Sequence, residues 1–298
     1  MKNRFLILLS FVLIVGRDVV CANTSMVRER ININRDWRYQ IDDPDGVGAA
    51  LHYSRLKPYL LPCANDFIIF GKRYQRPEGN PGENIAYVKS DFDDSEWRHL
   101  NLPHDWAIEG PFNIDYNGST GKLPYWGIRW YRKTLELSQD DAGKQIYLDI
   151  DGAMSYVSVW CNGQYVGGWP YGYASFRLDL TPYIKAGQKN VLAIRLDNPD
   201  DTSRWYPGSG IYRNVWLVKT SPVHVEQWGT FVRNQQVDSE IAVMEMGVNI
   251  ENHAGKDVQV KLQTSVYLQG KDGRPVGEEV AQSMAKNLSL IHISEPTR

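Results

Sequence analysis

Residues 200–206 gather side chains well suited to holding a small polar ring. Asp200 and Asp201 offer carboxylate acceptors, Arg204 a planar donor, and Trp205 and Tyr206 two flat apolar faces. Aromatic faces cover the C–H side of a pyranose while carboxylates and a guanidinium hydrogen-bond its hydroxyls, so the cluster reads as a carbohydrate-binding set. Pro207 and Gly208 follow directly and suit a tight turn that would hold it. The two rings would serve equally to pack the loop onto neighbouring protein, and the residues alone leave both readings open.

Other reactive residue types give no catalytic constellation. His104, His224 and His253 read as scattered, with no partner at metal-ligand spacing, and no Ser-His-Asp set stands out, so neither a metal nor a cofactor is expected. In Leu102 to Trp106, Asp105 reads as a cap for local backbone amides and Trp106 as a packing residue. Arg132 and Lys133, beside Tyr131, fall on opposite faces of a strand and read as a solvated edge. Glu226, Glu278 and Glu279 sit on surface strands with no assigned chemistry.

The elements that must position these residues are strands. Period-two alternation in short runs, separated by Gly, Pro, Asn and Asp, extends from about Asn32 to Thr220 and signals antiparallel sheet. Val157, Val159 and Cys161 share one face, Tyr156, Ser158 and Trp160 the other, and Asn162-Gly163 marks a hairpin. Phe176, Leu178 and Leu180 alternate, as do Leu192, Ile194 and Leu196, and Val215 with Leu217. The natural assembly is a sandwich of two sheets. Between Asp43 and Glu83 the periodicity lapses among five prolines, which predicts a long ordered loop insertion.

A second alternating unit begins near Ser221-Pro222: Ala242 to Ile250, then Val258 to Leu268, with Ala254-Gly255 between them. Residues 221–288 number 68, whereas an immunoglobulin-like sandwich takes ~100 residues, so this unit reads as incomplete. Leu290 to Arg298 resembles the translated read-through of a sequencing adapter, and 289–298 is set aside as a non-native tail.

Among 298 residues, Lys plus Arg number 33 and Asp plus Glu 35, which gives no electrostatic case for nucleic acid or an anionic membrane surface. Ten Trp and 17 Tyr exceed the usual needs of a core, so some rings are expected to face a ligand. At the start, Lys2 and Arg4 precede an apolar run from Phe5 to Val15 that is too short to span a bilayer. It reads as a signal peptide over 1–22, with a secreted or periplasmic product, or a lipid-anchored one through Cys21. Cys63 and Cys161 then remain, which makes no disulfide framework.

An ordered motif series sharpens this outline. It runs through Trp97, Leu102-Pro103-His104-Asp105-Trp106, Trp130-Tyr131-Arg132-Lys133, Asp151-Gly152, Trp160-Cys161-Asn162-Gly163, Gly172-Tyr173, Asp179-Leu180-Thr181 and Asp197-Asn198. It closes on Ser203 to Arg213. Together these resemble the N-terminal sugar-binding domain of glycoside hydrolase family 2, over residues 32 to about 285. The resemblance implies an all-β chain: a galactose-binding-like jelly-roll sandwich over 23–220, then a partial immunoglobulin-like sandwich over 221–288. It further implies a carbohydrate ligand, contacted by Asp200, Asp201, Arg204, Trp205 and Tyr206, and a catalytic barrel on which this domain packs. The family's two catalytic glutamates stand on that barrel, the acid/base after an asparagine, and no Asn-Glu dipeptide occurs here. The chain is thus expected to be an accessory part of a secreted, β-galactosidase-like glycosidase, inactive alone, with a stand-alone carbohydrate-binding or adhesion module as the alternative.

Overall fold

The computed structural model describes residues 4–8, 28–68, 71–116, 118, 121–200 and 208–290, with side chains at all of these except 4–8, 66 and 285–290. The chain divides into two compact units, one spanning Arg28–Lys219 and the other combining residues at both chain ends.

The Arg28–Lys219 unit is a β-sandwich. Its larger sheet contains β3 (Trp37–Ile41), β4 (Arg98–Leu100), β5 (Gly127–Glu136), β7 (Val157–Cys161), β8 (Gln164–Trp169) and β10 (Lys189–Asn198), in the order β4-β3-β5-β10-β7-β8. The smaller contains β2 (Glu29–Asn32), β6 (Gln145–Ile150), β9 (Phe176–Asp179) and β11 (Val215–Thr220), in the order β2-β11-β6-β9. β5 and β10 form the backbone of the larger sheet, antiparallel from Lys189↔Glu136 to Asn198↔Gly127. Asn162 and Gly163 join β7 to β8 with φ of 51° and 80°, the two left-handed positions a type I′ hairpin turn requires.

Alternation fills the space between the sheets. Tyr131, Val157, Val159, Ile194 and Leu196 of the larger sheet meet Leu148, Ile150, Phe176 and Leu217 of the smaller in one buried cluster. The opposite face of the larger sheet is buried as well: Trp130, Trp160, Tyr165 and Ala193 lie beneath Val47, Leu51, Leu56, Leu60, Ile85, Val88 and Trp97.

The cover is the stretch predicted as a loop insertion, and it is more regular than predicted. Helix α1 (Tyr53–Leu60) stands between two 3-10 turns, Gly48–Leu51 and Leu61–Phe67. Pro58, inside α1, removes a backbone donor and masks the helix in the sequence; Leu56 and Leu60, one turn apart, are buried and give the helix its apolar face.

This cover overturns the solvated-edge reading of Arg132. β5 is an interior strand, and Arg132 is 1% exposed. Its Nε donates to Asp94 Oδ2 at 2.7 Å, and its Nη atoms to the carbonyls of Tyr87, Lys89 and Phe92. Lys133 points the other way and donates to the Arg35 carbonyl at 2.7 Å. The same layer explains much of the aromatic content. Trp130 and Trp160 stack with centroids 5.4 Å apart, and their indole N–H groups donate to Asp43 Oδ1 at 2.8 Å and the Pro81 carbonyl at 2.7 Å. Trp37, Trp97 and Trp106 are buried too.

In the other unit, β12 (Val223–Val237) and β13 (Ala242–Asn252) pair antiparallel, with β1 (Arg4–Leu8) on the far edge of β13. β14 (Val258–Gln269) and β15 (Pro275–Leu290) form a separate two-stranded sheet. β1 falls in the apolar run read as a leader. Among the described residues no helix is long and apolar enough to cross a membrane.

Asp94→Ala would strand the Arg132 guanidinium inside the cover. Because Asp94 is itself 26% exposed, the expected cost is about 2 kcal/mol, at the lower side of a broken buried pair. Urea unfolding of the chain measures it, and an unchanged midpoint would mean that the three carbonyls suffice.

Candidate functional site

β10 ends at Asn198, and Asn198 and Ser209 flank the stretch proposed to bind sugar. Asp200 is exposed, and its Oδ1 accepts the Tyr125 hydroxyl at 2.9 Å. Asp201, Arg204, Trp205 and Tyr206 lie outside the described residues.

Side chains buried in the sandwich tie both ends of this stretch. Asn198 Nδ2 donates to the Tyr125 carbonyl at 2.8 Å and the Gly208 carbonyl at 3.1 Å, while its Oδ1 accepts from Ser155 Oγ at 3.0 Å. Ser209 Oγ donates to the same Tyr125 carbonyl at 2.5 Å. Asp105 Oδ1 accepts two amides, Ala107 at 2.9 Å and Ser209 at 3.1 Å. It therefore caps the 3-10 turn Trp106–Glu109 and holds the far end of the stretch at once. Burial pushes its carboxyl above the usual value, and the two amides pull it back. Met154 and Gly210 pair backbone to backbone at 2.9 and 3.1 Å.

Gly210 is required where it stands. Its φ is +85°, and a Cβ there would sit 2.5 Å from the His104 carbonyl and 2.7 Å from the Tyr131 hydroxyl. His104 is itself buried, with Nδ1 2.7 Å from the Tyr131 hydroxyl. Its Nε2 lies 3.2 Å from Glu109 Oε1 without hydrogen-bond geometry. Arg98 grips Glu109 through both carboxylate oxygens, at 2.6 and 2.7 Å. Burial holds the His104 imidazole below its ordinary pKa, outweighing the pull of Glu109.

Of these residues, only Asp105 as an amide cap is legible in the sequence. Asn198 and Ser209 are part of the motif series, but their role depends on the Tyr125 carbonyl, some eighty positions away. The histidines also need correction. β12 and β13 pair His224 opposite Glu251, so that Glu251 Oε2 lies 3.2 Å from His224 Nε2 and 3.4 Å from His253 Nε2, with the two rings stacked. Burial raises the Glu251 pKa, but the bonds from the two histidines outweigh it and hold the carboxylate well below its usual range. Among the described residues no group of three or more His, Cys, Asp or Glu is arranged to hold a metal ion.

Residues 86–221 match the family model described as glycosyl hydrolases family 2, sugar binding domain. A beta-galactosidase of Bacteroides ovatus is 40% identical over 263 residues, which is 87% of this chain and 26% of that protein. A beta-glucuronidase of Formosa agariphila is 26% identical over 59% of this chain and 20% of its own length. The crystal structure of a family 2 glycosyl hydrolase from Bacteroides cellulosilyticus superposes with a TM-score of 0.67 at 27% identity, over 88% of this chain and 30% of that one. The chain thus spans about a quarter of the length of the curated relatives it matches.

Asn198→Ala removes a donor shared by two carbonyls and is expected to lower stability by about 2 kcal/mol; Gly210→Ala, clashing with backbone at a left-handed φ, should cost at least as much. Urea midpoints of both variants test the frame. His104 adds a pH dependence of definite sign: its folded pKa is depressed, so its contribution is complete above the unfolded value near ~6.5 and is lost as pH falls below it. Thermal unfolding from pH 8 to 5 should steepen below that value, and His104→Phe should flatten the change.

Proposed function

We propose that this chain, whose residues 86–221 match the sugar binding domain of glycosyl hydrolases family 2, is the accessory sugar-binding part of a glycosidase that hydrolyses β-galactosides or related oligosaccharides. The observation that carries this reading is the frame at Asn198, Asp105 and Ser209, which fixes both ends of the stretch bearing Asp201, Arg204, Trp205 and Tyr206. Fixed flanks on either side of an aromatic and charged sequence suit a binding segment, since affinity depends on groups held in place before the ligand arrives. The galactoside preference rests on the 40% identity to the Bacteroides ovatus enzyme, and the glucuronidase relative keeps glucuronides as the competing substrate class.

Retaining hydrolysis uses two carboxylates ~5 Å apart, one as nucleophile and one as acid/base. In the reading proposed, those belong to a barrel, and residues 200–206 shape the entrance to it. The partial immunoglobulin-like unit of residues 221–288 would connect the two. The leader over 1–22, with its apolar Phe5 to Val15, directs the protein to the periplasm or cell surface.

Trp205→Ala in the full-length enzyme should raise KM or lower kcat about tenfold on an aryl galactoside while the sandwich keeps its unfolding midpoint. Unchanged kinetics would leave Trp205 a packing role only. The 298-residue chain by itself should turn over no aryl galactoside; turnover that a point change within this chain abolishes would place catalytic groups here and overturn the accessory reading.

A further inference from the structure

A concave site opens where the cover meets β10, on the outer face of the larger sheet. The cleft has a volume of about 400 Å³ and is walled by Asp43, His52, Tyr53, Tyr156, Arg195 and Asp197, within the size range of small-molecule sites. Asp43, His52 and Tyr53 come from the cover and stand before residue 86, where the match to the family's sugar binding domain begins.

Its chemistry is specific. Tyr53 and Tyr156 meet at one side with ring centroids 4.3 Å apart and planes inclined by 51°, forming an aromatic corner. Tyr156 has a φ of 43°, left-handed backbone that a bulky side chain rarely adopts, and such positions concentrate where a side chain must be aimed. On the floor, Arg195 is 3% exposed and donates to both oxygens of Asp43 at 2.8 Å and to Asp197 Oδ2 at 3.3 Å. Two carboxylates against one guanidinium leave the cleft with one net negative charge, and Asp197 retains 22% side-chain exposure toward it. Acceptor oxygens fixed by a buried guanidinium, beside two half-buried rings that line the cleft, suit a ligand rich in hydroxyls and repel an anionic one.

We propose that this cleft is a second carbohydrate subsite, which takes a neutral hexopyranose unit with its C–H face on the Tyr53–Tyr156 pair and its hydroxyls on Asp197 and Asp43. The proposal rests on the carbohydrate-binding reading above and locates part of that binding away from residues 200–206. Asp197, on β10, lies three residues before Asp200, which follows the strand's end, at most about 11 Å along the backbone, so one oligosaccharide can reach both places.

The test is binding of β-1,4-galactotetraose to the full chain by titration calorimetry and ligand-observed NMR, with tetragalacturonate as the charged counterpart. Tyr53→Ala is expected to weaken galactotetraose binding at least about fivefold, the size of one lost aromatic contact, and tetragalacturonate should bind more weakly than the neutral chain. Asp197→Ala, which leaves Arg195 its two bonds to Asp43, should weaken binding to a similar extent and decides the matter if Tyr53→Ala does not fold. Both variants binding like the parent while Trp205→Ala loses the ligand would overturn the cleft and leave the carbohydrate reading standing. Absence of galactotetraose binding by the unaltered chain would overturn both.

Discussion

One carboxylate joins the two halves of the sandwich domain's architecture. Asp43 sits at the start of the cover, and it accepts from Arg195 twice and from Trp130 once, all at 2.8 Å. Arg195 and Trp130 stand on β10 and β5, the paired strands at the centre of the larger sheet. A guanidinium on that face would be a costly desolvated charge without its partner, and the indole N–H would be a stranded donor. Asp43 satisfies both while anchoring a segment that carries Leu51, Leu56 and Leu60 onto the sheet.

The rest of the larger sheet follows from having two dry faces. One face meets the smaller sheet through aliphatic residues in the manner of any sandwich. The other meets irregular backbone, and irregular backbone has carbonyls that need donors. Arg132 answers three of them, Trp160 a fourth at Pro81, and Asn80 reaches the Gly163 carbonyl at 2.9 Å from the cover itself. Tryptophan and arginine recur here because each combines a large buried body with a polar end that a loop can use.

How far the sequence discloses this depends on whether a feature is local. The strands are legible because alternation and turn residues are written within a few positions: Val157, Val159 and Cys161 face the inner core, and Asn162-Gly163 makes its hairpin. Period two tells which residues share a face but is silent on whether the face is wet. That is why Arg132 reads as solvated although it is buried. Helix α1 is hidden by Pro58 and by a burial partner on strands about a hundred residues onward. The meeting of His224, Glu251 and His253 needs the register of β12 against β13, which no spacing encodes. For the candidate site, the aromatic and charged segment at 200–206 is visible in sequence, whereas the groups that hold its ends, Asn198 and Ser209 on the Tyr125 carbonyl, become visible only in three dimensions.

The frame around residues 201–207 carries a further meaning. Its ends are held by Asn198, Ser209, Asp105 and Tyr125, none of which belongs to the segment between them. The bonds described here thus run between residues that flank the segment, and changes in these holding residues leave the segment's own residue types unaltered. Such a separation leaves the chemistry of those seven positions free to change on an unchanged scaffold.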